Sequence, residues 1–255
     1  KNNSTIIGVY GMKQFYFLTG LPRAGNTLLG SLVNQNKNVA VTAHSIIIDM
    51  LYSLDRCKNL IGYENFPDEK SFMNVSKKMM ESYYEHWEAK HIIDRGPWGT
   101  PPTLNLLKKL TSKRKFVILY RPVLECLASF IKLDNNQVEH RCDELMSEHG
   151  MIGNCLWSTK NVIKSNEEHI IIHFKDLIAN PEKEIKRMFE FLEIEYTPLD
   201  FNNIQQFETN GVRYDDSVFP VKLHEIRTDK ISLNEYDIEE YLPDSVIKKY
   251  KGLDI

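Results

Sequence analysis

Apolar residues along this chain fall into blocks with two different rhythms. Some blocks are nearly continuous: Gln14-Phe15-Tyr16-Phe17-Leu18-Thr19, Lys115 to Tyr120, and Ile170-Ile171-Ile172-His173-Phe174. Short runs rich in aromatic and β-branched residues, with no polar alternation, predict strands buried on both faces. Val39-Ala40-Val41-Thr42 and His91-Ile92-Ile93-Asp94 add two shorter strands. Other blocks repeat every three or four residues, as a helix face requires. Leu28, Leu29, Leu32 and Val33 place a helix from Asn26 to about Gln35. Further helices are predicted over Ile46 to Leu54, 68–89, Thr103 to Leu110, Val123 to Leu133, about 137–165, and Pro181 to Leu192. The helix at 68–89 is read with Phe72, Val75, Met79, Met80, Tyr83 and Trp87 on one face. Strands therefore alternate with helices. That order predicts an α/β fold: one domain with a mostly parallel central sheet and helices on both faces.

Composition narrows the setting. The chain has 255 residues, enough for one such domain over 13–255, with 1–12 as a disordered lead-in or expression remnant. Residues 200–255 show no clear alternation and are expected to wrap over the site. No apolar run approaches the roughly 20 residues that span a bilayer, and the first residues lack a signal-peptide core. A net charge of −3 excludes the broad basic field of a general nucleic-acid binder. Cys57, Cys126, Cys142 and Cys155 form no CxxC pair. They read as free thiols in a reducing compartment, which predicts a cytoplasmic protein without nucleic-acid or membrane partners.

The chemistry gathers after the first strand. Gly20-Leu21-Pro22-Arg23-Ala24-Gly25-Asn26-Thr27 has the spacing of a P-loop, GxxxxG-x-[ST], with Asn26 where lysine normally stands. Glycines let the backbone approach an anion closely, and amides at the head of the next helix point inward as donors. Arg23 supplies the positive charge missing at Asn26, and Thr27 a hydroxyl donor. A nucleotide hydrolase of this type holds magnesium with an acid ending another strand. Here the strand from Lys115 to Tyr120 ends in Arg121-Pro122. The missing lysine and acid predict a nucleotide neutralised by protein groups, with no metal. Arg121 and Ser129, about two helical turns apart, form a candidate second anion clamp at the same sheet edge.

These two motifs together resemble the sulfotransferases that use 3′-phosphoadenylyl sulfate (PAPS). Gly20 to Leu29 is similar to their 5′-phosphosulfate loop, and Arg121 with Ser129 to their 3′-phosphate motif. The similarity covers about residues 14–195. The Pro22-Arg23 pair is nearest the tyrosylprotein and bacterial or phage-type branches. The resemblance implies in-line transfer of a sulfuryl group from PAPS to a hydroxyl or amine acceptor, with adenosine 3′,5′-bisphosphate leaving and no metal. It implies donor-binding roles for Gly20, Pro22, Arg23, Ala24, Gly25, Asn26, Thr27, Arg121 and Ser129. Arg23 would also stabilise charge on the leaving phosphate. Phe174 stands where the family often has a tyrosine against the adenine.

The base is less sharply marked. The tyrosylprotein branch has a glutamate after the second strand, where this chain has His44. The cytosolic branch has a histidine and a lysine after the next strand, where this chain has Asp94 and Arg95. His44 is the first candidate and Asp94 the second, with Arg95 steadying the transferring group. Arg227 and Lys230, in the stretch Leu223 to Lys230, are candidates for a late loop that closes over the nucleotide. Tyr83, Tyr84, Trp87 and Trp98 either line an acceptor cleft or belong to the core. Two other functions stay open at this level: a degenerate P-loop kinase or hydrolase, and a nucleotide-binding domain without catalysis. The acceptor and the oligomeric state are not readable from the sequence.

Overall fold

Five apolar blocks become five parallel strands in the computed structural model, which describes residues 13–218, 221–226, 231 and 237–255. They are β1 (Gln14–Gly20), β2 (Val39–Val41), β3 (His91–Arg95), β4 (Lys115–Tyr120) and β5 (Glu168–His173). Their order across the sheet is β2-β3-β1-β4-β5, which puts β1 in the centre. β1 buries Tyr16 through Thr19, and β4 buries every residue after Lys115. Phe17 lies 5.4 Å from the ring of Phe116 and 5.1 Å from that of Trp98. A strand with apolar groups on both faces is stable only between two layers. The flanking helices supply them.

Those helices are α1 (Asn26–Val33), α2 (Ile47–Arg56), α3 (Ile61–Asn65), α4 (Glu69–Tyr83), α5 (Pro101–Leu110) and α6 (Val123–Ile131). They continue as α7 (Val138–Met146), α8 (Met151–Lys164), α9 (Phe174–Ala179), α10 (Pro181–Leu192), α11 (Ile238–Tyr241) and α12 (Asp244–Tyr250). Proline stands in the first turn of α5 and α10, where its missing N–H costs nothing.

Three expectations need correction. The helix expected at 68–89 ends at Tyr83, so Trp87 packs from the following loop and Val75 faces solvent. Tyr84, beyond the helix end, is fully buried with its ring edge-on to Trp87. The helical region expected at 137–165 breaks between Met146 and Met151. A Cβ at Gly150 would lie 2.1 Å from the Glu144 carbonyl oxygen, so only glycine lets the chain turn there. The strand expected at 170–174 runs from Glu168 to His173, and Phe174 opens α9.

The C-terminal part divides in two. Residues near 207–226 reach the candidate site through a hairpin of β6 (Glu208–Thr209) and β7 (Val212–Arg213). The tail from 237 packs instead on α6 and α7. Lys249 bonds Asp143 at 2.8 Å, and Asp254 accepts the Val123 N–H at 2.9 Å at the head of α6. The wrap expected for 200–255 is therefore limited to its first half among the described residues.

Candidate active site

The loop after β1 is a built anion cradle. Gly25 is the N-cap of α1 with φ 90°, and α1 has neither a side-chain cap nor an acidic residue in its first turn. Its leading amides thus point out of the helix with no side-chain acceptor supplied. Arg23 also holds a positive φ of 66°, unusual for a residue with a Cβ. Backbone strain of this kind concentrates where a side chain must be aimed. Pro22 is half-buried and Ala24 buried beside it. Asn26 does not take over the lysine's role with its side chain. Its Nδ2 donates to the Leu21 carbonyl at 2.8 Å and braces the loop from within, while its buried Oδ1 has no hydrogen-bond partner. The contribution of Asn26 to an anion reduces to its backbone N–H. Thr27, in the first turn of α1, is half-buried.

The second clamp joins the first. Arg121 is 4% exposed, and its Nη1 donates to the Arg23 carbonyl at 3.1 Å. Its Nε donates to Glu125 at 3.0 Å, and Glu125 also pairs with Lys175 at 3.1 Å. The guanidinium lies 4.6 Å from the centre of the Phe174 ring. That ring also covers Gly25, where a Cβ would meet it at 2.8 Å. Phe174 therefore packs between the two clamps. Ser129 is buried, and its hydroxyl accepts from Arg23 Nε at 3.1 Å. Arg23, Ser129 and Arg121 form one connected cluster.

The β2–β3 edge supplies the remaining candidates. The His44 side chain is 55% exposed, with Nε2 3.9 Å from Asp49. Partial desolvation and then the Arg95 charge hold its pKa below the ordinary histidine value, against the pull of Asp49. Asp94, the second base candidate, has no exposed surface. Its Oδ1 accepts from Trp98 Nε1 at 2.9 Å, and its Oδ2 from the Ser45 hydroxyl at 2.7 Å and from the Tyr84 hydroxyl. Burial raises its pKa to about 6 against these three donors. With no surface for an acceptor to reach, Asp94 is a structural hub and not a base. Trp98 and Tyr84 are thereby core residues as well. Arg95, next on the strand, is half-buried; its backbone N–H bonds Thr42, and its Nη1 donates to the Tyr214 hydroxyl at 2.8 Å.

Tyr214, Asp216 and His224 connect to Arg95 and to one another, and the sequence reading did not single them out. A signal was present: Asn210-Gly211 is a two-residue hairpin turn, and both residues have positive φ, 49° and 74°. The turn sends the chain back toward the sheet just before Tyr214. Leu223, at the head of the basic stretch, offers its carbonyl to Arg23 Nη1 at 2.5 Å. Arg227 and Lys230 lie outside the described residues. Among the described residues no group of His, Cys, Asp or Glu is placed to hold a metal ion.

Gly20, Arg95, Arg121 and His44 all follow the carboxyl ends of parallel strands, where open α/β sheets bind ligands. A loop of helix-heading amides beside a buried arginine, at the carboxyl edge of a parallel sheet, is the frame of a P-loop-like α/β protein. The sulfotransferase domain model matches residues 14–230, and the chain belongs to that family. It is accordingly a sulfotransferase, in a family whose donor is PAPS and whose product is adenosine 3′,5′-bisphosphate. Among solved structures, the fold is similar to a mouse sulfotransferase, SULT7A1, complexed with PAP. That match has TM-score 0.54 and 10% identity, over 94% of this chain and 82% of that one. A sulfotransferase domain from the curacin biosynthetic pathway matches with TM-score 0.49 and 13% identity, over 96% and 92%. Sulfotransferase STF1 from Mycobacterium tuberculosis matches with TM-score 0.43 and 14% identity, over 74% and 69%. No curated protein sequence matches the chain.

Proposed function

We propose that this chain moves the sulfuryl group of PAPS to a hydroxyl or amine acceptor, with His44 as the base. The observation that carries this reading is the convergence of the Gly20–Thr27 loop, His44, Arg95 and Arg121 on one sheet edge. The acceptor oxygen or nitrogen attacks sulfur in line, the S–O bond to the 5′-phosphate breaks, and His44 takes the acceptor's proton. Loop amides, Arg23 and Thr27 receive the charge that grows on the leaving phosphate. Preorganised donors of this kind are typically worth about 3–4 kcal/mol each. Arg95 faces the transferring group, and Arg121 with Ser129 holds the 3′-phosphate. The depressed pKa of His44 keeps it neutral, hence basic, at neutral pH. Four free thiols suit a reducing compartment such as the cytoplasm.

The test is a panel of phenols, sugars, lipid alcohols and tyrosine peptides incubated with PAPS radiolabelled in sulfur. One class should gain label. His44→Ala should lower kcat by about 100-fold, within the usual range for losing a general base. Affinity for adenosine 3′,5′-bisphosphate should be unchanged. In the wild type, kcat/KM should show an acid limb that lies below the ordinary histidine value, as the lowered pKa of His44 requires, and this limb should be absent in the variant. Unchanged turnover in His44→Ala moves the base elsewhere.

A further inference from the structure

We propose that Tyr214 is a positioning residue for sulfuryl transfer: its hydroxyl fixes the Arg95 guanidinium at the end of β3, and the Asp216–His224 pair fixes its ring. The proposal rests on the reading above in which Arg95 faces the transferring group.

The geometry is specific. The Tyr214 hydroxyl accepts from Arg95 Nη1 at 2.8 Å. One phenol from the segment after β7 therefore holds the end of β3, from which Arg95 would face the sulfuryl group. Its ring is clamped from the other side. Tyr214 and His224 stack with centroids 3.7 Å apart and planes 2° from parallel, and Phe207 lies against Tyr214 at 4.9 Å. The imidazole is itself held at two points. Asp216 Oδ1 accepts from His224 Nδ1 at 2.6 Å, and Oδ2 from the His224 backbone N–H at 2.9 Å. A carboxylate that grips both ring and backbone leaves the ring one orientation. The side chains of the pair are 19% and 16% exposed.

A free arginine side chain samples many rotamers. A guanidinium that must meet charge developing in a transition state works best when that freedom is already lost. Tyr214 removes it by hydrogen bonding. The aromatic stack keeps the phenol from swinging away with its own segment. Leu223 adds a second tie through its carbonyl to Arg23. Among the described residues, the groups facing His224 include Asp216, Tyr214, Arg95 and Arg23. Burial outweighs Asp216 and, with the two arginine charges, holds the imidazole below its ordinary pKa. The stack therefore involves a neutral ring at neutral pH.

The test is a double-mutant cycle on PAPS turnover, read as release of adenosine 3′,5′-bisphosphate with the best acceptor of the panel, or with water. Tyr214→Phe keeps the ring stack and deletes only the hydroxyl. It should lower kcat about tenfold, with donor KM and melting temperature near wild type. In an Arg95→Ala background the same change should have no further effect, because the hydroxyl acts through Arg95. Asp216→Asn should lower kcat in the same direction, and neither variant should alter affinity for adenosine 3′,5′-bisphosphate by more than about twofold. Equal kcat in Tyr214→Phe and wild type overturns the proposal. So does a tenfold loss that persists in the Arg95→Ala background. A wild-type chain that turns over no PAPS overturns the assigned reaction and this role with it.

Discussion

Asp94→Asn separates a structural carboxylate from a catalytic one. The folded protein holds Asp94 with a pKa of about 6, against 3.8 for an ordinary aspartate. A gap of about two pKa units corresponds to about 3 kcal/mol. The sign is the reverse of the usual aspartate case. Between pH 4 and 6 the folded state keeps a proton that the unfolded state has already lost. Unfolding then releases a proton, so the contribution of this group to stability falls as pH rises through that window. Below pH 4 both states are protonated and the contribution is flat. Above pH 6 the full penalty of a buried charge is present, partly offset by the donors Tyr84, Ser45 and Trp98. Asparagine cannot ionise and nearly matches the shape. Urea unfolding of wild type and Asp94→Asn at intervals from pH 3.5 to 7.5 gives two stability curves. Their difference should change by about 3 kcal/mol across pH 4–6 and nowhere else. Other carboxylates titrate in both proteins and cancel in the difference. At pH 7.5 kcat should stay within about threefold of wild type. Parallel stability curves combined with a hundredfold loss of kcat would refute the argument, since that is the behaviour of an accessible base.

Two further variants test the cradle. Arg121→Ala should weaken adenosine 3′,5′-bisphosphate by about 10- to 100-fold, the range for losing a charged hydrogen bond of about 1.5–3 kcal/mol, and the 5′-monophosphate far less; titration calorimetry showing equal losses removes the 3′-phosphate assignment. Gly25→Ala puts a Cβ 2.8 Å from the Phe174 ring at a φ of 90°, so it should cost about 1–2 kcal/mol from backbone strain alone and more from the displaced ring. A thermal melt should show that loss partly restored by Phe174→Leu in the same chain, and a Gly25→Ala melting temperature equal to wild type contradicts the placement of the ring.

Legibility followed the length scale of the physics. The five strands were readable because continuous apolar runs such as Phe116 to Tyr120 have few other solutions in water. The loop Gly20–Thr27 was readable because its glycines and the following helix impose a local shape. Helix ends were less so: Trp87 continues the apolar spacing of α4, yet the chain leaves the helix at Tyr84. The break at 147–150 depends on the close approach of Gly150 to carbonyls of α7, a contact that no periodicity announces. Asp94 shows the limit for the site. An acid at the end of a strand looks the same in sequence whether it faces a cleft or three internal donors, and only burial distinguishes them. Tyr214 and His224 were hidden for a related reason. Their roles come from a stack between residues ten apart in sequence and from a contact to β3 that lies far away in sequence.

The absent lysine can now be understood from the neighbours that replace it. In a P-loop of the usual kind, one flexible cation on the helix follows the phosphates. Here the helix position is Asn26, whose amide is spent on the Leu21 carbonyl, so the loop gains a brace and loses a charge. Positive charge enters instead from three separate places: Arg23 at the loop tip, Arg95 from β3 and Arg121 from β4. Each is fixed by contacts that a lysine ammonium could not reproduce in the same way: Arg23 by Ser129 and Leu223, Arg95 by Tyr214, Arg121 by Arg23 and the Phe174 ring. Three planar cations held at set points suit a ligand whose reacting group must keep one orientation. A single mobile ammonium suits a compact polyphosphate. The substitution at position 26 is therefore one part of a redistribution of charge across the carboxyl edge of the sheet, from one helix position to three side chains that are each fixed by their own contacts.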